Sequence, residues 1–185
     1  MKTLLHICCA NCAVYPITIM KGRGIDVHGF WFNPNIHPLT EYSARLNALK
    51  TLQFAWDLNI HYNNCYGLVS FIRNVVNKEN DRCLYCYTVR LQETAKQARQ
   101  GGYDAFSTTL LYSIYQKYDT IIEIAMLMQQ DYDIEFYVED FRKGWKEGIN
   151  ISKHLSLYRQ KYCGCIYSEM QRYTQKDPAV IVPEL

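Results

Sequence analysis

Met1-Lys2-Thr3-Leu4-Leu5-His6-Ile7-Cys8-Cys9-Ala10-Asn11-Cys12 opens the chain, and the reading of this stretch decides the fold. Thr3–Ile7 is a short apolar run suited to a buried strand, and it ends directly on Cys8-Cys9. Ala13–Lys21 follows with helical character; Pro16 is placed in its first turn, and Gly22 and Gly24 stop it. A strand that passes through a cysteine pair into a helix is the opening unit of an α/β chain with its chemistry at the strand's carboxyl end.

The alternation continues outward. Val27–Phe32 reads as a second strand, broken by Asn33-Pro34-Asn35. Leu39, Tyr42, Leu46, Leu49, Leu52 and Trp56 recur every three or four positions, the spacing of an amphipathic helix. Asn59–Tyr62 is a short third strand. Leu68–Asn77 and Leu84–Gln100 are helices, the second beginning inside a cysteine motif and capped by Gly101-Gly102. Ala105–Leu110 and Ile134–Val138 are the fourth and fifth strands around a helix at Thr120–Gln130, and Lys146–Leu157 is the last helix. This succession predicts a three-layer, mainly parallel, Rossmann-like α/β sheet. No linker composition interrupts it, so residues 1–185 are expected to form one domain. Ligands of such sheets lie beyond the carboxyl ends of the strands, so Cys8, Asn33 and Ser107 should share one edge.

Composition narrows the function. A chain that is 49% hydrophobic and 21% charged is globular rather than disordered or fibrous. A net charge of +2 lacks the strongly basic footprint of a dedicated nucleic-acid-binding domain and leaves phosphate contacts to local patches. No apolar run reaches the length of a membrane span or a signal segment, so a cytoplasmic location without a membrane partner is expected. In a reducing compartment, eight cysteines point to metal or redox chemistry rather than to a disulfide framework.

Seven of the eight fall into three clusters: Cys8, Cys9 and Cys12; Cys83 and Cys86; Cys163 and Cys165. A two-residue gap at a helix start lets both thiolates face one pocket, where backbone N–H groups favour anions. Adjacent side chains diverge, so Cys8 and Cys9 are expected on different metal atoms. Structural zinc takes four ligands, and seven cysteines exceed that number. Soft thiolates select zinc, copper(I) or iron–sulfur clusters. An iron–sulfur centre uses the surplus best, with structural zinc and a metal-free dithiol site as the alternatives. Cys65 stands apart and is expected to be a small buried hydrophobe.

Further blocks accompany these cysteines: Phe32–Pro38 with Glu41-Tyr42, Arg82-Cys83 with Cys86 and Arg90-Leu91, and Phe106–Leu111 with Tyr115-Gln116. Asp140–Gly144 and Tyr158–Cys165 complete the set. In this order, from about His6 to Ser168, the chain resembles the cobalamin-independent epoxyqueuosine reductases of the QueH family. Asn11 stands where that family usually has proline, and the position of Cys12 is sometimes aspartate there. The resemblance implies reduction of epoxyqueuosine to queuosine at the wobble position of tRNA, in a two-electron loss of water. It also implies a 4Fe-4S cluster beside a further mononuclear metal, most simply iron, with tRNA and an unidentified electron donor as partners.

On that basis Cys8, Cys9, Cys12, Cys83, Cys86, Cys163 and Cys165 are the expected metal ligands. His37 and Asp140 are the candidate proton donors, each inside a matched block near a strand end. Ser107, Thr108 and Thr109 are assigned to the cyclopentane diol, and Asn33, Asn35 and Gln116 to the substrate. Tyr115 and Tyr85 are the stacking candidates. Arg142, Lys143, Lys146, Arg159 and Lys161 form the densest basic stretch, with Arg142, Lys143 and Arg159 set against anticodon-loop phosphates. Two rival readings remain. An ATP-dependent tRNA-thiolating enzyme would carry a glycine-rich phosphate loop after its first strand, and Cys8–Cys12 contains no glycine. A zinc-stabilised RNA-binding module would contain zinc alone.

Overall fold

The computed structural model describes residues 1–177 and 179–182. Five parallel strands form one sheet: β1 (Lys2–His6), β2 (Asp26–Trp31), β3 (Ile60–Tyr62), β4 (Ala105–Thr108) and β5 (Glu135–Phe136), in the order β3-β2-β1-β4-β5. The helices are α1 (Ala10–Gly22), α2 (Leu39–Trp56), α3 (Leu68–Val75), α4 (Arg82–Gln100), α5 (Tyr118–Tyr132), α6 (Trp145–His154) and α7 (Ile166–Thr174). α1 packs on β2, α2 and α6, while α4 packs on β1, β4 and α5, so helices cover both faces of the sheet. This is the expected three-layer α/β arrangement.

A sheet buried on both faces reads as continuous apolar sequence rather than alternation. Leu4, Leu5, Phe30, Trp31, Ala105 and Phe106 are all buried accordingly. The Trp31 indole still requires an acceptor, and Nε1 donates to Tyr42 Oη of α2 at 3.0 Å. Gly29 in β2 is required by close approach: a Cβ there would stand 2.8 Å from Ile7 Cδ1 and 2.9 Å from Ile60 Cγ1.

Two helix starts and one further helix bear on the site and differ from the sequence reading, each for a local reason. α1 begins at Ala10 instead of Ala13, because the Cys9 side chain caps it by accepting from Cys12 N at 3.3 Å. Pro16 therefore lies within the helix rather than in its first turn, and it has no N–H to offer the Cys12 carbonyl one turn back. α4 begins at Arg82, which brings Cys83 and Cys86 into its first two turns. α7 has no counterpart in the sequence reading. Ser168 ties its start to the preceding loop, accepting from Gly164 N at 3.1 Å and donating to the Cys165 carbonyl at 2.7 Å.

Candidate metal centre and cleft

The strand order reverses direction between β1 and β4: β1 leads through α1 to β2 on one side, and β4 flanks it on the other. The crevice outside their carboxyl ends is the ligand position of an open α/β sheet. Cys8 and Cys9 follow β1 there, and Thr109 follows β4. Cys8 N donates to Thr109 Oγ1 at 3.0 Å, and the Thr109 hydroxyl donates to Cys8 Sγ at 3.3 Å. One side chain thus fixes the loop backbone and faces the thiol.

Cys8, Cys9 and Cys12 bring their sulfur atoms within 4.8 Å of one another. Among the described residues this is the one group of three or more His, Cys, Asp or Glu ligand atoms so close. The divergence expected of adjacent cysteines does not occur: Cys8 Sγ and Cys9 Sγ lie 3.9 Å apart. The reason is the extended backbone at Cys9 (φ −171°, ψ 160°), which turns its side chain back over the first turn of α1.

Sulfur ligands sit about 2.3 Å from a zinc-like ion, so two on one ion are at most about 4.6 Å apart. The triad therefore approaches the spacing of a single-ion site and supplies three ligands. Its electrostatics suit a cation. Hydrogen bonds from Cys12 and Cys9 hold the Cys8 thiol well below its ordinary pKa. Hydrogen bonding to Cys8 pushes Cys12 up, and burial pushes Cys9 up.

The triad lies at the edge of a cleft of about 820 Å³, lined by Cys8, Cys12, Arg45, Arg90, Tyr115, Gln116, Trp145, Arg159, Lys161 and Cys163 among others. Arg90 is 3% exposed and makes no ion pair with a carboxylate among the described residues; Nη2 donates to Cys86 Sγ at 2.9 Å and Nε to the Cys86 carbonyl at 3.0 Å. A buried guanidinium without a carboxylate partner is costly unless an anion accompanies it, and the groups it faces are thiols. Arg45, also buried, pairs with Glu41 at 2.6 Å and donates to the carbonyls of Cys163 (2.8 Å) and Tyr162 (3.0 Å). It thereby docks the Cys163–Cys165 loop on α2. Gln116 Nε2 donates to Cys163 Sγ at 3.2 Å.

Cys86 and Cys165 are buried with Phe71 and Val75 in a smaller apolar cluster, and Cys83 is half-buried. Cys65 is exposed rather than buried, since it follows β3 in a surface loop.

The other expected site residues divide clearly. Tyr115, Gln116, Arg159 and Lys161 line the cleft; Tyr115 is 79% exposed and meets Trp145 edge-on at 5.7 Å. Tyr85 packs against Phe71 and is not on the cleft wall. Ser107 donates to the Tyr137 carbonyl, Thr108 bonds His6 and Leu110 N, and Asn33 donates to the Ile7 carbonyl. These polar groups serve the strand ends. The Asn35 carboxamide oxygen is buried without a partner.

His37 and Asp140 are also off the cleft wall. His37 is fully buried between Tyr66 and Phe71, and burial lowers its pKa to about 4. Asp140 accepts two side-chain hydrogen bonds from Arg142, each 2.8 Å. Arg142 lies over the Tyr118 ring, and Lys143 pairs with Glu139 at 2.9 Å. The basic pair expected to meet phosphate is thus neutralised by neighbouring acids.

Comparison with known proteins gives a consistent result. The family model described as "Epoxyqueuosine reductase QueH" matches residues 3–171. A protein of that name from Dehalococcoides mccartyi is 36% identical over 172 residues, covering 93% of this chain and 94% of the relative. Its namesake from Thermotoga maritima is 35% identical over 179 residues, covering 91% of each. Among solved structures, a predicted subunit of a tRNA methyltransferase from Methanocaldococcus jannaschii superposes with a TM-score of 0.57 at 14% identity. The match covers 100% of this chain and 93% of that one. At that identity the likeness is one of fold alone.

Proposed function

The chain belongs to the epoxyqueuosine reductase QueH family, and from that premise we propose that it reduces epoxyqueuosine to queuosine at the wobble position of tRNA. The observation that carries this reading is the sulfur triad of Cys8, Cys9 and Cys12 beside a cleft with basic and aromatic walls. The donor set fits metal: three soft sulfurs within 4.8 Å of one another, with the Thr109 hydroxyl and the Gln160 amide donating to them.

The triad would hold a single ion, with a coordination position left for a ligand in the cleft. Cys83, Cys86, Cys163 and Cys165 would hold a 4Fe-4S cluster, whose thiolates bind different irons and need not converge as closely. When bound, these groups supply electrons one at a time and a Lewis acid for the epoxide oxygen. The reaction takes up two electrons and two protons and releases one water as the epoxide becomes an alkene.

The chain's own residues supply position and charge. Arg90 and Arg45 offset the anionic thiolates. Tyr115 and Trp145 offer a stacking platform for an unstacked base, and Arg159 and Lys161 offer phosphate contacts. Ser113, Tyr115 and Lys161 are protic groups on the cleft wall, so the proton is assigned to that wall rather than to His37 or Asp140. A zinc-held RNA-binding module is less well supported, because three sulfurs beside an open cleft describe a site with a free position rather than a closed structural one.

Anaerobically purified protein is expected to contain iron and acid-labile sulfide, and to convert epoxyqueuosine in tRNA with a chemical reductant and no cobalamin. Stoichiometric zinc alone under iron-replete, oxygen-free conditions would overturn the cluster assignment. Unchanged epoxyqueuosine-tRNA with fully metallated protein would overturn the activity.

A further inference from the structure

Gln160 lies in the loop between α6 and α7 and reaches the triad at Cys9, whereas Thr109 reaches it at Cys8. Its Nε2 donates to Cys9 Sγ at 2.8 Å and is 3.7 Å from Cys12 Sγ. Its Oε1 accepts from Asn11 Nδ2 at 2.8 Å, and the same Asn11 nitrogen donates to the Tyr158 carbonyl at 2.7 Å.

The direction of this relay is fixed by its far end. A backbone carbonyl is an acceptor only, so the Asn11 nitrogen must face Tyr158. The same nitrogen then requires an oxygen from Gln160, which leaves the Gln160 N–H group facing sulfur. Turning either amide over would set two donors or two acceptors against each other. Asn11 holds this orientation although its own oxygen is buried with no partner among the described residues. Cys9 Sγ also receives Cys12 N at 3.3 Å. Two N–H donors on one sulfur fix its direction relative to the first turn of α1.

We propose that Gln160, oriented by Asn11, is a positioning residue that holds the Cys9 sulfur in place as a metal ligand. The proposal rests on the metal reading of the triad given above. Outer hydrogen bonds of this kind orient a ligand and typically change metal affinity by about 10–100-fold.

The test is a titration of reduced, metal-free protein with Co2+, read by sulfur-to-cobalt charge-transfer absorption and by competition with a chelator. Gln160→Leu should weaken Co2+ binding about 10–100-fold. It should also move the charge-transfer band to longer wavelength, because the sulfur lone pairs lose a hydrogen bond. Asn11→Ala should change both readouts in the same direction and by less. The double variant should be no weaker than Gln160→Leu, since both act through one contact. Wild-type affinity and band position in Gln160→Leu would overturn the proposal. So would additive losses in the double variant, which would assign the two residues separate roles. A charge-transfer band and affinity left unchanged by serine at Cys8, Cys9 and Cys12 together would place the cobalt at other cysteines and remove the metal reading of the triad, which is a different failure. Thermal unfolding of each metal-free variant separates misfolding from ligand effects: Asn11→Ala and Gln160→Leu should unfold as wild type does within a few degrees. If only Gln160→Leu fails that control, Asn11→Ala decides the case alone.

Discussion

Glu41→Gln is expected to destabilise the protein far more than its single lost charge suggests. The Glu41 and Arg45 side chains are 8% and 2% exposed, and the Tyr158 hydroxyl donates to the second carboxylate oxygen. Arg45 is held in turn against the Tyr162 and Cys163 carbonyls. Neutralising Glu41 leaves a buried guanidinium without its counter-ion, a change that costs about 3–5 kcal/mol. For a chain of this size each kcal/mol lowers the melting temperature by about 2–4 °C, so a fall of roughly 6–20 °C follows. Urea unfolding of thiol-reduced, metal-free protein measures the free energy directly. The companion is Glu41→Gln with Arg45→Met, which removes both charges. It forfeits two hydrogen bonds to carbonyls at about 1 kcal/mol each but abolishes the stranded charge, so it should be no less stable than Glu41→Gln alone. A cost below about 1 kcal/mol for Glu41→Gln, or strict additivity with Arg45→Met, would refute a buried, coupled pair.

Three further outcomes are expected. Serine at Cys8, Cys9, Cys83, Cys86, Cys163 or Cys165 should abolish turnover, Cys12→Asp should retain more iron than Cys12→Ala, and Cys65→Ser should keep both iron and activity because Cys65 is exposed; metal analysis and the tRNA assay check the series. Charge removal at Arg159 and Lys161 should reduce the salt dependence of tRNA binding by about 0.7–0.9 units of slope per lost phosphate contact, whereas Arg142 and Lys143, already paired, should change it less; filter binding across salt concentrations reads this. His37 is neutral in the folded state with a pKa near 4 against an ordinary 6.5. The unfolded state therefore binds more protons between these values, and stability falls as pH drops through that window. From pH 7 to pH 5 this removes about 2 kcal/mol; His37→Leu should remove that share of the profile in urea unfolding and leave the like share of buried His6, whose pKa is also lowered to about 4.

The strands and most helices were legible because burial on both sheet faces leaves largely apolar runs such as Thr3–Ile7, in which Thr3 and His6 are buried as well. The switch-point edge was legible for the same reason, and Cys8 lies on it. The start of α1 was not, since a cysteine cap is foreign to the usual Ser, Thr, Asp and Asn signals. Without that cap the convergence of Cys8 and Cys9 could not be seen. Arg90 and Gln160 stand inside matched blocks but carry no local pattern that reveals a role, because each acts on a sulfur brought to it by folding. Arg45 did leave a trace: it sits four residues after Glu41 on one helix, the spacing of an ion pair. Arg142 and Lys143 are the converse case, because a basic run in sequence does not show that Glu139 and Asp140 pair with it.

The central place of β1 sets the order in which the molecule can be assembled. β1 is synthesised first and soon gains β2, but its other edge waits for β4, and the Cys8–Thr109 contact spans 101 residues. At about 5–20 residues per second, that edge stays unpaired for roughly 5–20 s on the ribosome. An open apolar edge strand is a template for pairing with the wrong chain. The same interval leaves Cys8 without the hydroxyl that will face it. Strand pairing and thiol placement are therefore completed by a single docking event, and a nascent chain halted before β4 would present both an adhesive edge and an unguarded thiol.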